Sequence, residues 1–223
     1  MALAEQVKDF RNSLLDENIL DPAGVHHEFN AGGHGRKLDF DLIPTYAATS
    51  RSEFSPLYAN WLQVTTGFIQ TEFPELPQVI LGVANGTNRV AKDVALRLNR
   101  ETGAHVLGYA TVKDEANDRV LWLPRRVEDK LSKTAPELVV VVEDVGTTGS
   151  QSVQIAEQAL GAGAQKVVVV PTWQRQDSLW RLDEVDIEYR AIIHETLPTY
   201  TAEECARTGF CAQGWELIPR PTS

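Results

Sequence analysis

The sequence is poor in cysteine, in positive charge and in long apolar runs, and each shortage excludes a class of protein. Two cysteines, Cys205 and Cys211, are too few for a disulfide framework and suit a reducing compartment. With 21 Lys and Arg against 31 Asp and Glu, the net charge of -10 gives no general attraction to nucleic acid or to anionic membranes. No apolar run approaches the roughly 20 residues of a membrane span. The start of the chain carries acids within an amphipathic pattern, which is unlike a signal peptide. We therefore expect a cytoplasmic protein that binds neither nucleic acid nor membrane.

The length is compatible with one folded unit. A chain of 223 residues is sufficient for a single α/β domain with a full core. We expect one domain that spans residues 1–223.

The most informative stretch is residues 139–150, VVVVEDVGTTGS. Four consecutive valines cannot alternate between a wet and a dry face, so they predict a strand buried on both sides, as in a parallel sheet covered by helices. Two carboxylates and a Gly/Thr/Ser turn follow. Beyond the turn, apolar residues recur at three- and four-residue spacing, which predicts a helix.

This order of residues provides two kinds of ligand group. Backbone N–H groups of residues 146–149, beside a helix N-terminus, form a site for a phosphate dianion, and Thr147, Thr148 and Ser150 add hydroxyl donors. Glu143 and Asp144 are acceptors when ionised, so they suit the cis hydroxyls of a ribose or Mg²⁺. A ligand with a phosphate at one end and a ribose diol at the other fits both.

The stretch resembles the 5-phosphoribosyl-1-diphosphate (PRPP) motif of the type I phosphoribosyltransferases, although Gly146 stands where an aliphatic residue is usual. The resemblance implies an α/β fold with a central, mostly parallel sheet flanked by helices, and a small hood contributed by about residues 20–50 and 173–223. It also implies that Glu143 and Asp144 are catalytic and hold Mg²⁺ directly or indirectly. The phosphate-binding residues it implies are Val145, Gly146, Thr147, Thr148, Gly149 and Ser150.

Two further segments extend the resemblance. A buried strand over residues 78–84 precedes Ala84, Asn85, Gly86 and Thr87, which resemble the pyrophosphate-binding loop of the family. Residues 113–118, KDEAND, stand where the orotate enzymes have a mobile basic loop, and Lys113 is the residue that the resemblance makes catalytic. Because this segment is short and acidic, Arg119, Arg125 and Arg126 are alternative cations.

The base-binding residues are implied by similarity to the orotate phosphoribosyltransferases. His34, in the glycine-rich turn of residues 31–35, corresponds to a segment that touches the base there, or else lies in a solvent-facing hairpin turn. Arg175 corresponds to an arginine that contacts the base carboxylate, and Trp173 either stacks on a base or packs in the core. The carboxyl-terminal cysteines also resemble those of one bacterial group of orotate enzymes. Together with His194 they would provide only three zinc ligands, so we expect Cys205 and Cys211 to be reduced structural thiols.

Apolar periodicity predicts the remaining elements. Helices are expected over about 3–15, 54–73, 88–98 and 151–160, a helix or loop over 128–136, and strands over 37–42, 105–112, 119–123, 166–170 and 188–193.

The implied reaction transfers ribose 5-phosphate from PRPP to a base nitrogen and releases pyrophosphate, in a protein expected to be a homodimer. Three hypotheses compete. The first is orotate as the base, in pyrimidine nucleotide synthesis. The second is a purine or another base, and the third is a regulator that binds PRPP without turnover.

Overall fold

In the computed structural model, the described residues are 2–28, 33–40, 43, 55–113, 121–177 and 179–219. None of the described helices is both long and apolar enough to cross a membrane. In chain order the elements are α1 (Leu3–Asp16), β1 (Val25–Glu28), β2 (Gly33–Gly35), α2 (Pro56–Glu72), β3 (Val79–Gly82), α3 (Ala84–Thr102), β4 (Leu107–Ala110), β5 (Val112–Lys113), β6 (Leu121–Trp122), α4 (Arg125–Thr134), β7 (Val139–Gly146), α5 (Ser150–Gly161), β8 (Val167–Gln174), α6 (Trp180–Glu184), β9 (Glu188–Tyr189), β10 (Ile193–His194), β11 (Thr199–Thr201), α7 (Ala202–Arg207) and β12 (Glu216–Ile218).

The central sheet is parallel and has the order β10-β8-β7-β3-β4, with β9 also paired to β8. The two valine-rich runs lie side by side in its middle, with Val139 opposite Val167 and Val142 opposite Val170. Both strands are buried along almost their whole length. The fold class expected from the sequence, a mostly parallel sheet flanked by helices, is confirmed.

Helices cover both faces of this sheet. Val140 and Val142 pack into one core with residues of α1, α2 and α3, whereas Val139 and Val141 pack into a second core with residues of α4, α5 and α6. Strand alternation thus divides the valines between the two cores. A Cβ on Gly82 would lie 2.5 Å from the carbonyl oxygen of Thr87, so glycine allows α3 to approach the sheet closely.

A second sheet has the order β11-β2-β1-β12. It joins residues from near the start of the chain to residues from near its end, because β1 pairs with β12 and β2 pairs with β11. A capping box formed by Thr201 and Glu204 starts α7 directly after β11. Parts of the two segments expected to form a hood meet in this second sheet, whereas β9 and β10, which also lie within residues 173–223, belong to the central sheet.

Several predicted boundaries are wrong, each for a local reason. Residues 37–42 were expected to be a strand, but in the described part Leu38 makes only an isolated bridge with Leu20. The strand expected to continue to residue 112 is interrupted at Thr111, whose backbone N–H and carbonyl bond to the side chain of Asn88. The edge strand expected over 188–193 is split into β9 and β10, because Pro171 of β8 has no N–H to donate there.

Candidate active site

The candidate site lies at the point where the strand order changes: β4 is added to one side of β3, and the next strand of this sheet, β7, is added to the other side. β3 lies between β4 and β7, and the helices that follow β3 and β7 pack on opposite faces of the sheet. Between such diverging helices a crevice forms at the carboxyl ends of the strands, and open α/β sheets bind ligands there. The two segments predicted to hold diphosphate and phosphate, residues 84–87 and 145–150, follow these two strands.

The acidic pair belongs to β7 itself. Glu143 is only 7% exposed, and its Oε2 accepts a hydrogen bond of 2.5 Å from Ser152 Oγ, in the first turn of α5. Burial raises the pKa of Glu143 to about 8; the Ser152 hydroxyl opposes this increase, and the charge of Asp144 adds to it. Glu143 is therefore mostly protonated at neutral pH in the absence of a ligand.

Asp144 is more accessible than Glu143 and is oriented by the backbone. It is half-buried, and its Oδ1 accepts a hydrogen bond of 2.7 Å from the N–H of Val145. The two carboxylates therefore differ in environment. Asp144 is the more accessible of the two carboxylates, and Glu143 packs against α5.

The turn after β7 has the geometry of an anion site. Gly149 has a φ of 79°, in the left-handed region that favours glycine, and it caps the N-terminus of α5. The first N–H groups of a helix have no partners within that helix, and the helix dipole favours negative charge beside them. Thr148 Oγ1 and Ser150 Oγ lie 2.7 Å apart at this end of α5. The turn thus combines backbone and hydroxyl donors for a phosphate group.

Two leucines that the sequence analysis did not single out support this turn. A Cβ on Gly146 would lie 3.1 Å from both Cδ atoms of Leu179, and a Cβ on Gly149 would lie 3.0 Å from Leu182 Cγ. In addition, the N–H of Arg181 donates to the carbonyl of Thr148. Leu179 occupies the space beside Gly146, which explains why glycine stands where the family usually has an aliphatic residue.

The second phosphate segment is the first turn of α3 rather than a loop, since that helix begins at Ala84. Thr87 is fully buried, and its hydroxyl bonds to the carbonyls of Val83 and Val142, at 3.1 and 2.8 Å. The Thr87 side chain therefore holds α3 against β7 and does not face the crevice. The N–H groups at the start of α3, including that of Gly86, are the candidate donors for a diphosphate.

Lys113 ends the described part of the chain before residues 114–120. It pairs with Leu121 in the short hairpin of β5 and β6. This hairpin begins beside the crevice, because Thr111 Oγ1 donates 2.7 Å to the carbonyl of Gly82 at the end of β3. Most of the segment expected to act as a mobile loop, with Arg119, lies outside the described residues.

Two depressions, of about 570 and 370 Å³, lie at the opposite, amino-terminal edge of the sheet, lined in part by Lys166, Glu188 and Arg190. These charged groups neutralise one another, since Glu188 makes ion pairs of 2.6 Å with Lys166 and 2.5 Å with Arg190. Neither depression combines an acidic pair with a helix N-terminus.

Comparison with known proteins agrees with this geometry. No protein-family model matches the chain. The sequence is 29% identical over 162 residues to the orotate phosphoribosyltransferase of Caldanaerobacter subterraneus subsp. tengcongensis, which covers 72% of this chain and 75% of that protein.

Solved structures are similar over most of the chain. The orotate phosphoribosyltransferase of Aeropyrum pernix has a TM-score of 0.57 at 16% identity and covers 82% of this chain and 92% of that one. The adenine phosphoribosyltransferase of Saccharomyces cerevisiae has a TM-score of 0.54 at 13% identity and covers 85% and 99%. The fold is that of the type I phosphoribosyltransferases. The resemblance to this family, including its orotate enzymes, is confirmed.

Arg175 lies next to the phosphate turn, which is the turn of residues 146–149 predicted to bind phosphate. Its N–H donates 2.9 Å to the carbonyl of Gly146. Its guanidinium extends toward the second sheet and donates to the carbonyls of Arg36 and Leu197, at 2.9 and 3.2 Å. Burial lowers the pKa of Arg175, and the nearby charge of Asp21 opposes that change. Arg175 thus connects the sheet edge to the second sheet, a role not evident from sequence.

The other two predicted base-binding residues lie in different surroundings. Trp173 is fully buried in the core, and its Nε1 donates 2.9 Å to the carbonyl of Glu195, an arrangement that favours the packing alternative over stacking on a base. His34 is not in a solvent-facing turn: it is 7% exposed, and its Nδ1 lies 3.5 Å from Cys211 Sγ. Trp173 also adjoins the predicted phosphate segment, since it pairs with Val145 across β7 and β8, but its side chain packs in the core.

Proposed function

We propose that this protein is a phosphoribosyltransferase that transfers ribose 5-phosphate from PRPP to a nucleobase and releases pyrophosphate. The observation that carries the proposal is the arrangement at the end of β7. There the acidic pair of Glu143 and Asp144 ends five positions before the left-handed Gly149, which caps the N-terminus of α5, at the ends of the adjacent strands β3 and β7. A ribose 5-phosphate needs hydrogen-bond acceptors for its diol and donors for its phosphate, and this strand and turn provide both.

Each part of the crevice has one role in this proposal. The backbone amides from Gly146 to Gly149, with Thr148 and Ser150, bind the 5-phosphate. Asp144 accepts hydrogen bonds from the ribose hydroxyls, and Glu143 packs beside it against α5. The amides at the start of α3 and the ammonium of Lys113 hold the diphosphate.

The acidic pair also fits the metal that accompanies a diphosphate. Carboxylate oxygens are the ligands that Mg²⁺ prefers, and Asp144 is the more accessible of the two carboxylates. When bound, Mg²⁺ supplies positive charge that stabilises the departing pyrophosphate. As the leaving group departs, C1 of the ribose gains positive charge, so catalysis requires positioned charges rather than a side-chain nucleophile.

We propose orotate as the base, for two reasons. The sequence relative at 29% identity is an orotate phosphoribosyltransferase. The carboxylate of orotate also requires a local cation in a protein of net charge -10, and Arg175 lies beside the phosphate turn. The similar fold of an adenine phosphoribosyltransferase makes adenine the second candidate.

The direct test is pyrophosphate release from PRPP and Mg²⁺ with orotate, uracil, adenine, guanine, hypoxanthine or xanthine. Release with orotate alone supports the full proposal. Release only with adenine or another purine refutes the choice of orotate and retains the transferase. PRPP binding without release in any of the mixtures refutes turnover and favours the regulator hypothesis.

Replacement of Asp144 by Asn tests the acidic pair. The amide keeps the shape and still accepts from Val145 N–H, but it loses the charge that orients the ribose and attracts Mg²⁺. We expect kcat to fall by roughly a hundredfold or more. The urea concentration at the midpoint of unfolding should change no more than it does for a typical surface substitution. Asp129→Asn, an exposed change on α4, is the matched control. Wild-type turnover in Asp144→Asn would show that the carboxylate is structural.

Replacement of Arg175 by Ala tests the base. Loss of a charge-assisted contact costs about 1.5 to 3 kcal/mol, so kcat/KM for orotate should fall by roughly ten- to a hundredfold. PRPP affinity should change little, because the Arg175 N–H that bonds Gly146 is retained. Arg181→Ala, an arginine ion-paired to Glu184 on α6, is the control for charge. Equal losses for PRPP and orotate would refute a role for Arg175 specific to the base.

A further inference from the structure

Four side chains with metal-binding chemistry meet beside the second sheet. They are His26 of β1, His34 of β2, Cys205 of α7 and Cys211 of the turn after α7, and their ligand atoms all lie within 4.8 Å of one another. His26 Nε2 is 3.2 Å from Cys211 Sγ and 3.6 Å from Cys205 Sγ. The two sulfur atoms are 3.1 Å apart, and His34 Nδ1 is 3.5 Å from Cys211 Sγ.

The local backbone brings the two cysteines together. Cys205 lies on α7, and the chain then turns sharply so that the N–H of Cys211 donates 3.2 Å to Cys205 Sγ. Gly209 permits this turn, because a Cβ there would lie 2.8 Å from both Cys205 Cα and the ring of Tyr200.

The two histidines come from the other end of the chain. β1 and β2 pair antiparallel, and β2 in turn pairs with β11, which leads into α7. This pairing places both imidazoles against the cysteines. The Phe210 ring lies 5.5 Å from that of His26 and stacks on Trp215 at 4.5 Å, so an aromatic layer lies against the group.

Two thiols and two imidazoles in one place form the donor set of a tetrahedral zinc site. Bonds of about 2.3 Å to sulfur and about 2.0 Å to nitrogen place the ligands of such a site about 3.3 to 3.8 Å apart. Four of the six pairs here are 3.1 to 3.6 Å apart, and all six lie within 4.8 Å. We propose that His26, His34, Cys205 and Cys211 bind one Zn²⁺ ion. Four protein ligands complete the coordination, so the site is structural.

A disulfide does not account for the same group. The sulfur atoms are separated by more than the bond length of about 2.05 Å, and both cysteines are free. A disulfide also requires no histidines, whereas here two imidazoles face the sulfurs in a buried position. His194, the histidine expected from the sequence to be available beside the cysteines, is exposed in β10 and is not a member of the group.

The proposed ion would fasten the two ends of the chain to each other. His26 and Cys211 are 185 positions apart, so the ion closes a long loop, and long loops gain most from such a link in the chain-entropy model. It lies beside the sheet to which Arg175 connects, not at the phosphate turn. Zinc binding is therefore independent of whether the protein turns over PRPP.

The test is metal analysis of the full chain, purified with a thiol reductant and without chelator. We expect about one zinc per chain in wild type and in His105→Asn, an exposed histidine, and less than about one tenth in Cys211→Ser and His34→Asn. Wild type stripped by a chelator and given Co²⁺ should show thiolate-to-cobalt charge transfer and tetrahedral d–d bands, which keeps the proposal testable if the variants unfold.

Three results would overturn the site. One is wild-type protein that contains no zinc and takes up neither Zn²⁺ nor Co²⁺ after reduction. Another is a Cys205–Cys211 disulfide, found by mass spectrometry after alkylation of the protein as purified. The third is zinc that remains at wild-type content in both Cys211→Ser and His34→Asn.

Discussion

The buried carboxyl of Glu143 predicts a specific dependence of stability on pH. Its pKa is raised to about 8 in the folded protein by burial, against an ordinary value of 4.5. The folded state therefore binds more protons than the unfolded state between these two values. The contribution of Glu143 to the free energy of unfolding is fully present below pH 4.5 and is lost as pH rises through 8.

The magnitude follows from the difference between the two pKa values. A difference of about 3.5 corresponds to about 5 kcal/mol once the group is fully ionised in both states. The loss is about 1 kcal/mol by pH 5 and about 3 kcal/mol by pH 7, so about 2 kcal/mol disappears between them. Glu143→Gln carries no ionisable proton and should not lose this amount.

Urea unfolding of wild type and Glu143→Gln at pH 5, 6 and 7, without ligand, measures the difference. The free energy of unfolding should fall with pH by about 2 kcal/mol more in wild type than in Glu143→Gln. Glu137→Gln, exposed just before β7, should behave like wild type. Ser152→Ala removes the hydroxyl that lowers the pKa of Glu143, so the loss of stability should extend to a higher pH in this variant than in wild type. Parallel curves for wild type and Glu143→Gln would refute the reasoning.

Two further predictions concern packing around the site. Gly149→Ala should lower the free energy of unfolding in urea more than Gly24→Ala does. Both glycines have positive φ, but only at Gly149 does the added Cβ meet Leu182, at 3.0 Å. Equal losses of about 1 kcal/mol would mean that Leu182 moves freely aside. Trp61→Phe should lower the free energy of unfolding by about 1 to 3 kcal/mol, because Trp61 Nε1 donates a hydrogen bond of 2.7 Å to the buried Thr172 Oγ1. If the double variant with Thr172→Val loses the simple sum of the two single losses, the two side chains are not coupled.

The centre of the fold was predictable because its signals are local. Four valines in a row specify a strand buried on both faces whatever their neighbours, and β7 and β8 follow that rule. The acidic pair and the glycine turn follow along the same strand, so sequence order alone placed Asp144 and Gly149 together. The first helix was predictable for the same reason, since Phe10 and Leu14 repeat with helical spacing and are buried.

The contacts that were missed depend on the tertiary fold. Thr87 was expected to face the diphosphate, yet its hydroxyl bonds to a carbonyl of β7, a partner 55 positions away. Ser152, which sets the environment of Glu143, reads in the sequence as an ordinary helix residue. A hydroxyl can satisfy its hydrogen bonds with either ligand or backbone, and sequence order does not distinguish these partners. The histidines of the proposed zinc site were missed because long-range pairing of β1 and β2 brings them to the cysteines.

These long-range contacts differ between the turn after β7 and the side chain of Arg175. The turn of residues 146–149 packs against Leu179 and Leu182, which lie at the start of α6 and within it. The guanidinium of Arg175, in contrast, bonds to carbonyls of residues 36 and 197, which adjoin the second sheet. A change in the second sheet therefore reaches the proposed base site through Arg175. In the proposed reaction the amides at the start of α3 and α5 bind phosphate whatever the base is, so we expect selectivity among bases to depend on Arg175 and the second sheet.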